Sequence, residues 1–280
     1  MASIGKQQKR DTGIARKQQQ IVVKANELIQ QGRFSLNIQQ NKVLLYLISQ
    51  IKPNDSGQET YCFSVDDFCR ACGIDHNNGK NIINAKKALN ALDSMSIWVQ
   101  LSNNTEIRLR WLDRIMLNKN TNTFEITFHR DMLPYLYDLQ ARYTSYTLAN
   151  VLTMESKYGI RLYELLKSYQ HVKDHTVTFS LDELKKRIDG QMYTRYPDFK
   201  RRVLDIAIED INEYSDIHVE YEPFSSLGKK IGMDSVTFTI TEPEGMDREM
   251  RNIRRERKLD ADTKEGFQAL MKAITPENRF

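Results

Sequence analysis

Long apolar runs are missing from this sequence. No stretch approaches the ~20 consecutive apolar residues that a membrane-spanning helix needs, so no membrane partner is expected. The opening twenty residues, MASIGKQQKRDTGIARKQQQ, lack the apolar centre of a secretory leader. They are polar and basic, and read as a mobile arm. Cysteine is scarce. The three present, Cys62, Cys69 and Cys72, fall in one short stretch. An odd, clustered set cannot pair into a disulfide framework and points to a reducing compartment, the cytoplasm. With His76 these cysteines have the close spacing of a Cys₃His zinc site. Yet Cys69 and Cys72 share one short predicted helix with the core residue Phe68, where cysteine commonly acts as a small buried apolar group. No metal and no cofactor is expected. The phosphate-cradling pattern GxxxxGK[ST] is absent, which leaves no support for an ATPase.

The chain does have length and a near balance of charge. Its 280 residues exceed one small core and fit two domains of ordinary size. Hydrophobic residues make up 40%, enough for two modest cores. Lys and Arg total 41 against 37 Asp and Glu, a net charge of +4. So small an excess identifies no partner, and its distribution matters more.

The most informative pattern is a repeated phrase. FSVDDFCRACGID at 63–75 returns as FSLDELKKRIDG at 179–190. In the first copy, Val43, Leu44, Leu47, Ile48 and Ile51 predict one face of a helix. A short strand, YCFSV, leads to Ser64, a helix N-cap followed by Asp66 and Asp67 in the first turn. Gly73 is the expected left-handed stop. A longer helix follows over 76–95, with Ile82, Ile83, Ala88, Leu89 and Leu92 at helical spacing. IWVQL and EIRLRWL then alternate as a β-hairpin should.

The second copy repeats this order. A helix over 154–170 sets Ile160, Tyr163 and Leu166 on one face. TVTFS leads to Ser180, an N-cap with Glu183 at the capping-box position. Gly190 is the expected stop of the short helix. A longer helix over 196–214 has Pro197 in its first turn and an apolar stripe of Phe199, Val203, Ile206, Ala207 and Ile211. A hairpin, 217–224 with 235–241, closes the unit.

Both halves therefore predict an α+β fold of two tandem winged-helix domains, each a helix-turn-helix with a β-ribbon beside it. The expected division is a basic arm over 1–20, a first domain over 21–138, a second over 139–245 and a charged tail over 246–280. A helix fits the DNA major groove while a hairpin reaches the flanking backbone. Winged helices also serve as protein-interaction modules, because fold does not fix function.

Charge favours DNA. Over 185–202, Lys185, Lys186, Arg187, Arg195, Lys200, Arg201 and Arg202 face only Asp189 and Asp198. With Phe199 and Val203 inward, Lys200, Arg201 and Arg202 fan over the outer surface at the start of the recognition helix. Arg201 and Arg202 are the expected base readers, since bidentate Arg to guanine is the commonest specific contact. Arg195 belongs to the same patch. Lys229 and Lys230, in the wing loop between Gly228 and Gly232, suit phosphates. The first half carries Lys80, Asn81, Lys86 and Lys87 on its longer helix. Its expected contact is weaker and made chiefly to phosphates, with a protein interface on the same domain.

These residues resemble a known family: the plasmid replication initiators of the Rep type with two winged-helix domains, which bind iterons of theta-replicating plasmids. The phrases that carry the resemblance are SKYGIRLYELLKSY at 156–169, FSLDELKKRI, and DFKRRVLDIAIEDINEYSDIHVEYE. IVVKANELIQQGRFSLNIQQNKVLLYLI also looks like the family's opening. The resemblance spans about 21–243 and is most specific in the second half. It implies binding of direct repeats at a plasmid origin as a monomer, opening of adjacent A+T-rich DNA, and recruitment of host initiator and helicase proteins. It also implies a homodimer that represses its own gene, with the first domain supplying much of the dimer interface.

Nicking enzymes use a His-hydrophobe-His metal pair and a nucleophilic tyrosine. His171 and His175 stand in HVKDH, which is not that pair, and no enzymatic activity is expected. Tyr143, Tyr146, Tyr158 and Tyr163 are read as lying among helical apolar residues and as packing residues. The tail mixes Arg248, Arg251, Arg254, Arg255 and Arg257 with acids and reads as a solvated helix without assigned role. If Lys and Arg release counterions on binding, affinity for duplex DNA should fall linearly on a log–log plot against salt, by about one power per phosphate neutralised. Titration between about 50 and 200 mM salt measures this slope, and a flat line would remove DNA from the reading.

Overall fold

The computed structural model describes residues 20–52, 54–67, 81–101, 105–225 and 232–261. The chain opens with strand β1 (Ile21–Ala25), helix α1 (Asn26–Gln31), the short strand β2 (Gly32–Arg33) and helix α2 (Ile38–Ile48). Asn37 and Gln40 form a reciprocal capping box at the start of α2. Every residue from Val43 to Ile48 is buried, so α2 is enclosed by the first domain's core. Strand β3 (Tyr61–Ser64) follows. Ser64 Oγ accepts from Asp67 N at 2.9 Å, the cap that the sequence predicts. Gly73, Cys69, Cys72 and His76 lie outside the described residues; Cys62 is exposed.

Helix α3 (Asn81–Ser94) buries Ala85, Leu89 and Leu92, while Ile83, expected on the same face, is 52% exposed. Strands β4 (Ser96–Gln100) and β5 (Glu106–Arg110) form the predicted wing. A second hairpin, β6 (Leu112–Asn118) with β7 (Thr123–Phe128), then a short helix α4 (Leu133–Leu136) and strand β8 (Tyr143–Thr147), were not read from the sequence. After helix α5 (Ala149–Leu152) come helix α6 (Lys157–Lys167), strand β9 (Thr176–Ser180) and helix α7 (Leu181–Arg187). The recognition helix α8 runs over 196–214 in three pieces: an α-turn Tyr196–Phe199, a π-helical turn Lys200–Leu204 and an α-helix Asp205–Tyr214. Strands β10 (His218–Phe224) and β11 (Ser235–Thr241) make the second wing, and helix α9 (Gly245–Ala261) follows. Among the described residues, no helix is long and apolar enough to cross a membrane.

The two halves share helix order but differ in their sheets. In the second, β9 pairs antiparallel with β11, giving the order β10-β11-β9. In the first, β3 pairs with β7 of the extra hairpin, and the wing β4-β5 pairs with β2. The extra hairpin offers β3 an edge that the second half lacks.

Gly190 does not end α7 as expected. The left-handed residue is Asp189, at φ 59°. Gly190 serves close packing: a Cβ there would lie 2.7 Å from Phe199 Cε2. Ser180 Oγ accepts from Glu183 N at 3.2 Å, as predicted, but the Glu183 carboxylate pairs with Arg187 at 2.5 Å.

The halves are joined through α6 and a two-stranded ladder. β1 pairs with β8 from Ile21↔Thr147 to Ala25↔Tyr143, across the division expected after residue 138. Under the ladder, the buried carboxylate of Glu164 meets Lys24 of β1 and the hydroxyl of Tyr146 of β8, and Arg161 lies 3.6 Å away. Arg161 also donates to the carbonyls of Gly32 and Arg187, both at 3.1 Å, and stacks 4.1 Å over Phe34. Burial pulls the Lys24 and Arg161 pKa values down, although Glu164 opposes this in both. Asp189 accepts from Ser35 and Lys157, each at 2.6 Å, so the turn before α8 is held to the first half. Asp210 of α8 accepts from the Glu155 and Ser156 amides at the start of α6, the nearest at 2.7 Å. Gly159 permits this approach, since a Cβ there would sit 2.6 Å from Asp210 Oδ2.

Glu164→Gln would leave two buried cations without their counter-charge and should cost about 3–5 kcal/mol, read from urea unfolding. Arg248→Ala breaks only the exposed pair with Glu242 at 3.4 Å and should change stability by less than about 1 kcal/mol. Equal losses in both variants would contradict the role given to the buried cluster.

Candidate nucleic-acid interface

The second helix-turn-helix is packed as one piece. Phe199 is fully buried and is held on one side by Gly190. Lys185 lies 5.4 Å over its ring and donates to the Thr194 carbonyl at 3.0 Å. Lys185 is therefore buried within the turn rather than offered to a ligand. Arg187 is likewise engaged, with Glu183 and Tyr169. Of the seven basic residues in this stretch, Lys186, Arg195, Arg201 and Arg202 are the exposed ones.

The π-helical turn changes which residues of α8 face out. On an ideal α-helix, Phe199 and Ile206 lie about 20° apart and share a face. A π turn adds a residue and rotates the helix beyond it. Phe199, Val203, Leu204, Ala207 and Ile211 form the buried face, and Ile206 is 44% exposed. Ile206 thus leaves the predicted apolar stripe, and Leu204, not predicted, joins it. Arg202, Ile206 and Glu209 lie on the solvent face, beside Arg201. The Arg201 side chain is 71% exposed and has only a 3.8 Å contact with Asp198. Arg195 and Arg202 have no ion-pair partner among the described residues.

Lys200 is held differently from its neighbours. Its Nζ lies 2.9 Å from both Asp205 carboxylate oxygens and 5.9 Å from the Tyr221 ring. The Tyr221 hydroxyl donates to Asp205 Oδ1 at 2.6 Å. These hydrogen bonds to Asp205 and Tyr221 push the Lys200 pKa up. Burial would raise the Asp205 carboxyl, but the bonds from Lys200 and Tyr221 outweigh it and hold it below its usual range. Burial first, then the bond to Asp205, push Tyr221 up to about 12. The three groups clamp the recognition helix to wing strand β10 at neutral pH. Lys200 is a cation with an internal partner, not part of a free fan.

In the first domain, Lys87 of α3 is exposed and Lys86 half-buried. Lys80, Lys229 and Lys230 lie outside the described residues, as does the side chain of Asn81. The first wing shows a feature the sequence reading missed. Trp98, 46% exposed, has Arg33 and Arg108 as its direct neighbours on the two flanking strands. Only cross-strand register reveals it. Of the tyrosines, Tyr146, Tyr158 and Tyr163 are buried as expected, but Tyr143 and Tyr146 lie on strand β8 rather than a helix, and Tyr143 is 46% exposed. Among the described residues, no three His, Cys, Asp or Glu side chains are placed to hold a metal ion.

Two family models match the chain: "Initiator Replication protein, WH1" over residues 21–167 and "Initiator Rep protein, WH2" over 180–240. A "Replication initiation protein" of Escherichia coli is 28% identical over 240 residues, spanning 80% of this chain and 73% of that protein. The "PI protein" of Escherichia coli is 28% identical over 155 residues, spanning 50% of this chain and 51% of its own length. The fold is similar to the crystal structure of the Pi initiator protein in complex with iteron DNA. The TM-score is 0.63 at 19% identity, over 81% of this chain and 99% of that one. With both winged helices matched in order and the larger match alone covering more than half of its length, the chain belongs to the family of initiator replication proteins.

Proposed function

We propose that this chain initiates plasmid replication by binding iterons, directly repeated duplex sites at the origin, as a monomer. The observation that carries the reading is the exposed Arg201–Arg202 face of a recognition helix rigidly packed against its turn and wing. It sits in a fold similar to that of a Pi initiator protein solved on iteron DNA. In this reading α8 reads bases through Arg201 and Arg202, with Arg195 at its start and Lys229 and Lys230 in the wing loop on phosphates. The first domain adds backbone contacts through Lys80, Asn81, Lys86 and Lys87. The two recognition helices engage successive major grooves on one face, about 10 bp apart.

Partners complete this role. Bound monomers open neighbouring A+T-rich DNA and recruit host initiator and helicase proteins in the cytoplasm. A homodimer, formed chiefly through the first domain, represses the chain's own gene. The protein acts by binding, with no catalytic step of its own.

DNase footprinting of the DNA flanking the gene, with monomer and dimer fractions run separately, tests this directly. Protection of several direct repeats by monomer is the expected result. Protection of one inverted repeat by dimer alone would make the protein a transcription regulator acting through dimerisation and protein partners. On the protected repeat, Arg201→Ala and Arg202→Ala should each cost about 1–3 kcal/mol and relax base preference. Unchanged site-specific binding in both variants would move base readout away from α8.

A further inference from the structure

We propose that Ile206 is a specificity residue that reads the C5-methyl group of a thymine beside the base read by Arg202. The inference rests on the iteron-binding function proposed above and deepens it. A single exposed apolar side chain is ordinary on a protein surface, so exposure alone carries nothing. Its place and its cause are what distinguish this one. Ile206 is 44% exposed, one turn beyond Arg202 on the solvent face of the recognition helix. It is there because the π-helical turn at Lys200–Leu204 rotates it away from the face occupied by Phe199. That rotation is enforced, since Phe199 is locked between Gly190 and Lys185, and Lys200 and Asp205 are clamped to Tyr221. An α-helical register would bury Ile206 with the core.

Among the base edges of the major groove, only thymine presents a methyl group, and apolar side chains are its natural contact. Residues four apart on a helix have Cβ atoms about 5–6 Å apart, while base pairs rise about 3.4 Å. The thymine should therefore lie within about two base pairs of the guanine read by Arg202. Removing the contact should weaken binding about fourfold, the equivalent of one buried methylene-sized group at about 0.8 kcal/mol.

The test starts from duplexes selected by the full-length wild-type chain from a random pool. Each thymine of the preferred duplex is replaced in turn by deoxyuridine, which lacks only the methyl group, and affinity is measured by fluorescence anisotropy. With wild-type protein, one replacement should weaken binding about fourfold and the others should have little effect. Ile206→Ala should bind the thymine and deoxyuridine duplexes equally, and Ile206→Val should keep part of the discrimination. Circular dichroism melting of Ile206→Ala checks that the fold is intact. Tolerance of every replacement by wild-type protein, or the same sensitivity in Ile206→Ala, would overturn the assignment. If Arg202→Ala weakens binding while methyl loss is silent, Ile206 alone loses its role. If the wild-type chain selects no preferred duplex, the iteron-binding function falls and the methyl contact with it.

Discussion

The carboxylate of Glu164 is the constraint on which the arrangement of the two domains depends. A charge buried this deeply is tolerated only when its partners are fixed. Two of them come from strands far apart in the chain, Lys24 on β1 and Tyr146 on β8, and the third, Arg161, from the same helix as Glu164. Arg161 also donates to the Gly32 carbonyl, so α6 is tied to the first domain at both Arg161 and Glu164. The second winged helix is built on α6, and the Glu155 and Ser156 amides just ahead of it bond Asp210 of the recognition helix. A chain of short polar contacts thus runs from β1 to the recognition helix α8. Two recognition helices can share one duplex only if their relative position is set, and this cluster contributes to setting it.

The π-helical turn is the second device, and it is local. It lets one short segment satisfy two demands that an α-helix cannot meet together. Phe199 must enter the core against Gly190 to lock the turn. Ile206, two turns later, faces outward. The turn also places Lys200 where Asp205 and Tyr221 can hold it, tying helix to wing. Insertions of this kind weaken helical hydrogen bonding and are found disproportionately at functional sites.

Much of this was legible in the sequence, and the limits have physical causes. Caps, periodicity and turn residues are local signals. Ser64 with the apolar spacing of α2 and α3, and Ser180 with that of α6 and α8, were sufficient to find both helix-turn-helix units. Strand pairing is non-local. The ladder of β1 with β8 and the extra hairpin β6-β7 leave no mark that a repeat comparison would detect, so the pairing of the first domain's strands was not legible in the sequence. Gly190 was assigned to the wrong task because a glycine needed for close packing looks the same in sequence as one needed for a left-handed turn. Ile206 was placed inward because a period of about 3.6 assumes an uninterrupted α-helix.

Charge was the least transferable signal. Counting along 185–202 treats every Lys and Arg as available, but Lys185 and Arg187 serve the turn and Lys200 serves the wing. What remains on the recognition surface is a small group: Lys186, Arg195, Arg201 and Arg202. So few cations suit base reading better than bulk attraction to a polyanion, because each bidentate arginine contact discriminates while each phosphate contact does not. The non-specific part of the affinity must then come largely from elsewhere. Under the proposed function, one source would be the first twenty residues, whose sequence carries Lys6, Lys9, Arg10, Arg16 and Lys17 against Asp11 alone. The first domain would be another, with Lys87 exposed on its longer helix and Arg108 beside Trp98 on its wing; Arg33, across from Trp98 on β2, is already paired with Glu106 at 3.0 Å. The proposed function would divide the labour of the repeated fold: the second copy would discriminate between sites, while basic residues of the first copy and of the N-terminal twenty would supply the non-specific attraction.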